Sequence, residues 1–177
     1  MRDEFAQQHK LPGQVITHRA LNEFISRNYA CDSLGRYFFQ NGPQRVFITL
    51  DTTPWVARIT PSANGLELIT QCNNPIEASG ALSDENGNIY ITGKINQLTC
   101  KEKNKEPFSN EECQAVALLH DHDLDQFSQL AKLHEVACSF SGSWEWQGKQ
   151  LPIDLIHSEE IAARFKFIAK PSDQSHS

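Results

Sequence analysis

No apolar run in the 177 residues comes near the roughly 18 needed to cross a membrane as a helix, and the opening stretch, Met1 to Gly13, is too polar for a signal peptide. A cytoplasmic protein without membrane contact is the expectation. Basic charge is scarce. With 16 Lys+Arg against 22 Asp+Glu, the net charge is -6 and the pI near 5.6, the wrong sign for the attraction that drives nucleic-acid binding. Cysteine is thinly spread as well. Cys31, Cys72, Cys100, Cys113 and Cys138 are odd in number and contain no C-x-x-C pair, a pattern of reduced thiols rather than of a disulfide framework or zinc site. Neither common glycine-rich phosphate loop occurs, and Ser141-Gly142-Ser143 lacks the flanks of a nucleophile elbow. The sequence therefore implies no cofactor.

What is present is enough to fold. Hydrophobic residues make up 39% and charged residues 21%, well away from the composition of disorder, and the length suits one domain. Residues 14–170 read as that domain, with 1–13 as a loose N-terminal arm and 171–177 as a disordered tail. Ala20, Leu21, Phe24 and Ile25 recur at helical spacing and predict a short helix from His18 to Asn28. From Gly35 the grammar changes to strands. Arg36-Tyr37-Phe38-Phe39 and Arg45 to Leu50 flank the turn residues Asn41-Gly42-Pro43, an aromatic-walled hairpin. Trp55–Thr60, Gly65–Thr70, Ala78–Leu82 and Ile89–Thr92 continue the pattern, the last two around a Ser83–Asn88 turn.

The second half is less uniform. Lys101 to Glu106 is an alternating charge run that reads as a solvated loop. Ser109-Asn110-Glu111-Glu112 has the form of a capping box, yet Ala115 to Leu119 equally fits a buried strand, so helix and strand both stand for 113–119. Leu124, Phe127, Leu130, Ala131 and His134 predict a helix from Leu124 to Glu135. Gly142–Trp146, a Gln147-Gly148-Lys149 turn and Leu151–Ile156 form a second hairpin with aromatic walls. The fold class expected is α+β: a mostly antiparallel sheet with two or three short helices. A faint pseudo-repeat, 18–60 and 121–169, fits a duplicated helix-plus-hairpin motif. In both copies a helical Leu-x-x-Phe (Leu21/Phe24, Leu124/Phe127) precedes Gly-x-aromatic-x-aromatic, Gly35/Tyr37/Phe39 and Gly142/Trp144/Trp146.

Two stretches carry a family resemblance: Gly142-Ser-Trp-Glu-Trp-Gln-Gly-Lys-Gln-Leu-Pro-Ile153, and Tyr37-Phe-Phe with Arg45-Val-Phe-Ile-Thr-Leu-Asp-Thr-Thr-Pro-Trp-Val-Ala57. Together they resemble a family of small, uncharacterised, β-rich proteobacterial proteins, a domain of unknown function. The resemblance implies a repeated β-rich fold and a regulatory or signalling role, and it transfers no catalytic residue.

One constellation invites a chemical reading. His120-Asp121-His122-Asp123-Leu124-Asp125 sets two histidines at i and i+2, a spacing that projects both to one face of a strand end, as metal ligands often do. A metal-dependent hydrolase using His120, His122 and Asp121 or Asp125 is the rival functional reading, and the absence of a third His at the expected spacing counts against it. The bland alternative is a polar corner in which Asp121 or Asp123 caps the following helix. His134 and Cys138, four apart, would bring a base beside a thiol on a helix. Tyr37, Phe39, Trp55, Trp144 and Trp146 form either a ligand-stacking surface or ordinary core. As core, the two hairpins would pack on Phe24 and Phe127. The leading expectation is a non-catalytic regulatory module that binds a small ligand or a protein partner. Pairing through an exposed hairpin edge into a homo-oligomer is a further reading.

Overall fold

Long alternating runs of β-branched and apolar residues dominate the chain, and they assemble into one mixed sheet. The computed structural model describes residues 19–100, 108–136 and 139–171. The expected arm, most of the tail, the charge run and Cys138 lie outside them. In chain order the elements are α1 (Arg19–Asn28), β1 (Tyr29–Asp32), β2 (Tyr37–Asn41), β3 (Gln44–Phe47), β4 (Trp55–Ser62), β5 (Gly65–Thr70), β6 (Glu77–Ser83), β7 (Ile89–Cys100), β8 (Ser109–Leu119), α2 (Leu124–Leu130), β9 (Ala131–Val136), β10 (Ser139–Trp146), β11 (Lys149–Leu155) and α3 (Ile161–Arg164). Short 3₁₀ turns at Asp121–Asp123 and Ser158–Glu160 lead into α2 and α3.

β7 organises the sheet. Along one edge it pairs antiparallel with β8 from Tyr90↔Leu118 to Thr99↔Ser109. Its other edge is shared: β6 takes Ile89–Lys94, and β1 runs parallel along Leu98–Cys100. From there one arm continues β1, β2, β3 and the other β6, β11, β10, β9, while β8 carries β4 and then β5. Alternation fixes the faces. Ile91, Ile95 and Gln97 of β7 are buried and Lys94 and Asn96 are exposed, as a period of two demands of a strand with one covered face. The inner face holds the main core. A smaller cluster of Ala30, Phe38 and Cys100, flanked by Phe47, Leu98 and Phe108, forms on the outer face.

The expected α+β class is overturned. Eleven strands stand against helices of 10, 7 and 4 residues, so among the described residues the fold is mostly β. The sheet is also mixed, with parallel junctions at β1–β7, β4–β8 and β11–β6. Residues 113–119 are strand, because hydrogen bonding to β7, and to β4 at Ala117–Leu119, outweighs the local capping signal. The helix expected over Leu124–Glu135 stops at Leu130. Ala131 is extended (φ -105°, ψ 146°), and Ala131, Leu133 and Glu135, spaced at a period of two, pair with β10. Gly142 permits that pairing. At φ +149°, a Cβ there would stand 1.9 Å from the Lys132 carbonyl oxygen.

Candidate functional site

The corner after β8 is tied down at its start, where the His120 N–H donates to the Ala57 carbonyl of β4 at 3.0 Å. His120 Nδ1 then accepts from the His122 backbone N–H at 3.2 Å, so the capping expected of Asp121 or Asp123 is performed by a histidine. Asp123 makes no side-chain cap; its buried carboxylate accepts from Arg58 Nε at 2.6 Å and from the Ile59 N–H at 3.1 Å. The reason is positional. β4 presents a cation and a free backbone donor where α2 would otherwise have needed the acid. The two imidazole rings are neighbours, 4.7 Å between centroids, while Asp121 and Asp125 are exposed. Among the described residues no three His, Cys, Asp or Glu side chains form a group suited to a metal ion.

The five aromatic candidates divide between two ring clusters of the main core. Tyr37 and Phe39 lie 5.4 Å from Tyr29, which Trp55 meets edge-on at 5.0 Å. Trp144 lies between Phe127 (5.1 Å) and Trp146 (5.2 Å). Tyr37, Trp55, Trp144 and Trp146 are all buried, and Phe39 is partly so. The Tyr hydroxyls end on internal acceptors, Tyr29 on the Pro54 carbonyl (2.6 Å) and Tyr37 on Gln97 Oε1 (3.0 Å). Phe127 is the packing partner expected for the second hairpin. Phe24 does not serve the first: it is 44% exposed, and Ile25 and Tyr29 turn inward instead. One residue of helical phase makes the difference.

The thiols are set against reactivity. Burial pushes Cys31 up to about 12 and Cys72 up to about 11, and it raises Cys113 too. At neutral pH such groups stay protonated and are poor nucleophiles. His134 stands exposed on strand β9, so the helical spacing that would have set it against Cys138 does not exist.

Sequence reading missed a buried acid. Asp84 is fully buried at the β6–β7 turn and accepts from the backbone N–H groups of Asn86 and Asn88, from Asn88 Nδ2 (each 2.9 Å) and from the Tyr90 hydroxyl (2.7 Å). Around it, Ser139 Oγ donates to the Asp84 carbonyl, the Phe140 N–H donates to Ser83 Oγ, and Ser158 donates twice to Glu85. Those bonds from Ser158 hold the Glu85 carboxyl below its ordinary value. The signal was legible as Asp84 followed by Asn two and four residues on, the spacing of an Asx-anchored turn.

Among the described residues three strands end the paths of the sheet and differ in how they end, while β8, whose Ser109–Val116 stretch is laddered to β7 only, carries Glu111 and Glu112 along its free side. β5 is covered: its Leu68 carbonyl accepts from the Ile76 N–H (2.9 Å) and its Leu66 carbonyl from Gln147 Nε2 (3.4 Å). β9 shows exposed Lys132, His134 and Glu135, the charged guard expected of a margin kept free. Among the described residues β3 pairs with β2 alone, and it exposes an aliphatic side chain, Val46, at 49%. On its other face Arg45 lies over Phe38, 4.7 Å from the ring centre, and Arg36 lies over Phe47 at 4.5 Å.

No curated protein and no solved structure matches the chain. The family model DUF2944, described as "Protein of unknown function (DUF2946)", matches residues 1–172, in keeping with the resemblance to a domain of unknown function. The chain belongs to that family.

Proposed function

We propose that the protein is a non-catalytic binding module that engages a protein partner at the β3 margin of its sheet. One observation carries this reading. Among the described residues, β5 is covered, β9 and the one-sided stretch of β8 carry charge, and β3 offers a half-exposed Val46 beside main-chain groups that no described residue pairs. Strand addition at an open margin supplies affinity through main-chain hydrogen bonds and selectivity through alternate side chains. A small-ligand form of the same reading would use Tyr37, Phe39, Trp55, Trp144 and Trp146. Their burial favours the protein partner, because reaching them would require opening the core. The groups with chemical potential also have structural employment. Asp84 anchors a turn, Asp123 pairs with Arg58, and the Cys31 and Cys72 thiols are protonated at neutral pH.

In-cell photocrosslinking tests the reading. A photoreactive side chain at position 46 should yield one dominant protein adduct, lost on adding Arg45→Glu, and the same group at position 132 should yield none. Absence of an adduct at 46 contradicts it. The rival, a metal-dependent hydrolase, is favoured by the 4.7 Å contact between His120 and His122, with Asp121 or Asp125 as further ligand. The binding reading predicts no stoichiometric transition metal in purified, untagged protein. Zinc near one equivalent, lost in the His120→Ala/His122→Ala double variant, would move the assignment to the hydrolase.

A further inference from the structure

The backbone phase of β3 can be worked out. The Ile48 N–H donates to the Tyr37 carbonyl at 3.0 Å, and the register runs Phe38↔Phe47, Phe39↔Val46, Gln40↔Arg45. Antiparallel pairs alternate between hydrogen-bonded and non-hydrogen-bonded positions. Val46 therefore directs its N–H and C=O toward β2, while Arg45 and Phe47 direct theirs to the open side. Side chains alternate in the same register: Val46 shares the inner face with Phe39, and Arg45 and Phe47 share the outer face with Phe38.

From this geometry we infer that the partner at the β3 margin is a second copy of the chain, joined antiparallel about a two-fold axis through Val46. The inference rests on the partner-binding reading and names its occupant. A two-fold axis normal to a sheet preserves its faces, so only residues of like parity can stand opposite one another. Centred on Val46, Arg45 of each copy faces Phe47 of the other. Both of those residues have outward N–H and C=O groups, so the two pairs make four main-chain hydrogen bonds. Val46 meets its own counterpart at a non-hydrogen-bonded position, where side chains approach closest. The half-exposed valines are thereby covered, and each Arg45, held by Gln40 Oε1 (3.2 Å) and Cys100 Sγ (3.0 Å) over the Phe38 ring, comes to stand beside the Phe47 of the other copy, which already carries Arg36. Neighbouring registers are worse. Centring on Arg45 sets two guanidinium groups opposite each other, and centring on Phe47 draws Thr49, beyond the end of β3, into the ladder. β9 is less suited, because its registers centred on Lys132, Leu133 and His134 set Lys132 against Lys132, Lys132 against His134 and His134 against itself, with no apolar side chain exposed between them.

A strand of four residues buries much less than the roughly 800 Å² per partner of a stable interface, so the dimer should dissociate on dilution. Sedimentation velocity of the full chain over a hundredfold concentration range should show a reversible shift from monomer to dimer. Val46→Lys should weaken dimerisation at least tenfold with an unchanged circular dichroism spectrum, since the side chain is half-exposed. In case that variant folds poorly, Val46→Cys gives an independent readout. Mild oxidation should link it into a dimer that reductant reverses, beyond any product of the parent's own thiols, and Lys132→Cys should not link. A parent that stays monomeric throughout, or linkage from position 132 and not from 46, overturns the inference. If the adduct at position 46 in cells proves to be a different protein, the self-association fails while the binding reading survives.

Discussion

At the residue scale, the aromatic side chains decide whether the hairpins are structural. Trp144 is fully buried, with rings on either side and its Nε1 without an acceptor among the described residues, so its stabilisation comes from packing alone. Trp144→Ala should cost on the order of 3–5 kcal/mol, through lost transfer energy and the cavity left behind. Phe24→Ala, at an exposed ring, should cost under about 1 kcal/mol. Chemical denaturation of both variants checks this, and equal midpoints would contradict it. The buried thiols give a second expectation, on the alkaline side. Between an ordinary thiol value of 9.0 and about 12, the native state keeps the Cys31 proton that the unfolded chain releases. Fewer protons on the unfolded state mean that stability falls as pH rises through this window. Cys31→Ala should flatten that fall, as followed by urea midpoints from pH 8 to 11. An unchanged slope would show that the burial of Cys31 is not coupled to its ionisation.

At the element scale, much was legible and the failures share a cause. The β2–β3, β4–β5 and β10–β11 hairpins follow from β-branched and aromatic alternation across Gly-containing turns, and each stands close to where periodicity places it. The α2–β9 boundary was not legible, because Leu130 and Ala131 continue the helical stripe of Leu124 and Phe127 while Ala131 and Leu133 also begin a strand alternation, and only pairing with β10 selects one. Likewise β8 carried a capping signal that a full ladder overrides. The role of Asp123 was hidden for a different reason: its partner Arg58 is 65 residues away, and no local pattern reports a contact of that range. Gly142 is where pairing and sequence meet most tightly. Gly148→Ala, at a turn with open space around it, should cost about 1–2 kcal/mol for the left-handed backbone alone. Gly142→Ala should cost more, because β9 must also move away from the new Cβ. Thermal midpoints compare the two, and a smaller loss at Gly142 would mean that β9 is not held against β10 as described.

At the scale of the whole molecule, the arrangement follows from where strands of different origin join. Arg19–Phe47 and Leu124–Leu155 each run through a helix and then three antiparallel strands, yet the first meanders outward from β1 and the second from β11. The opposite sense leaves β3 and β9 as the two far margins of one path, with β5 on the branch through β8. Local sequence shows the strands and says little about which become outermost. That property belongs to long-range pairing, and it is why the sequence could suggest an exposed hairpin edge without showing which strand would carry it. The central claim is that β3 is a binding margin occupied by its own copy. Amide hydrogen exchange at Arg45 and Phe47, measured on the full chain at low and high protein concentration, reads it most directly. Their N–H groups should be protected only at high concentration, while those of Val46 and Ile48, already turned toward β2, should be protected at both. Exchange at Arg45 and Phe47 that is fast and independent of concentration would contradict the account.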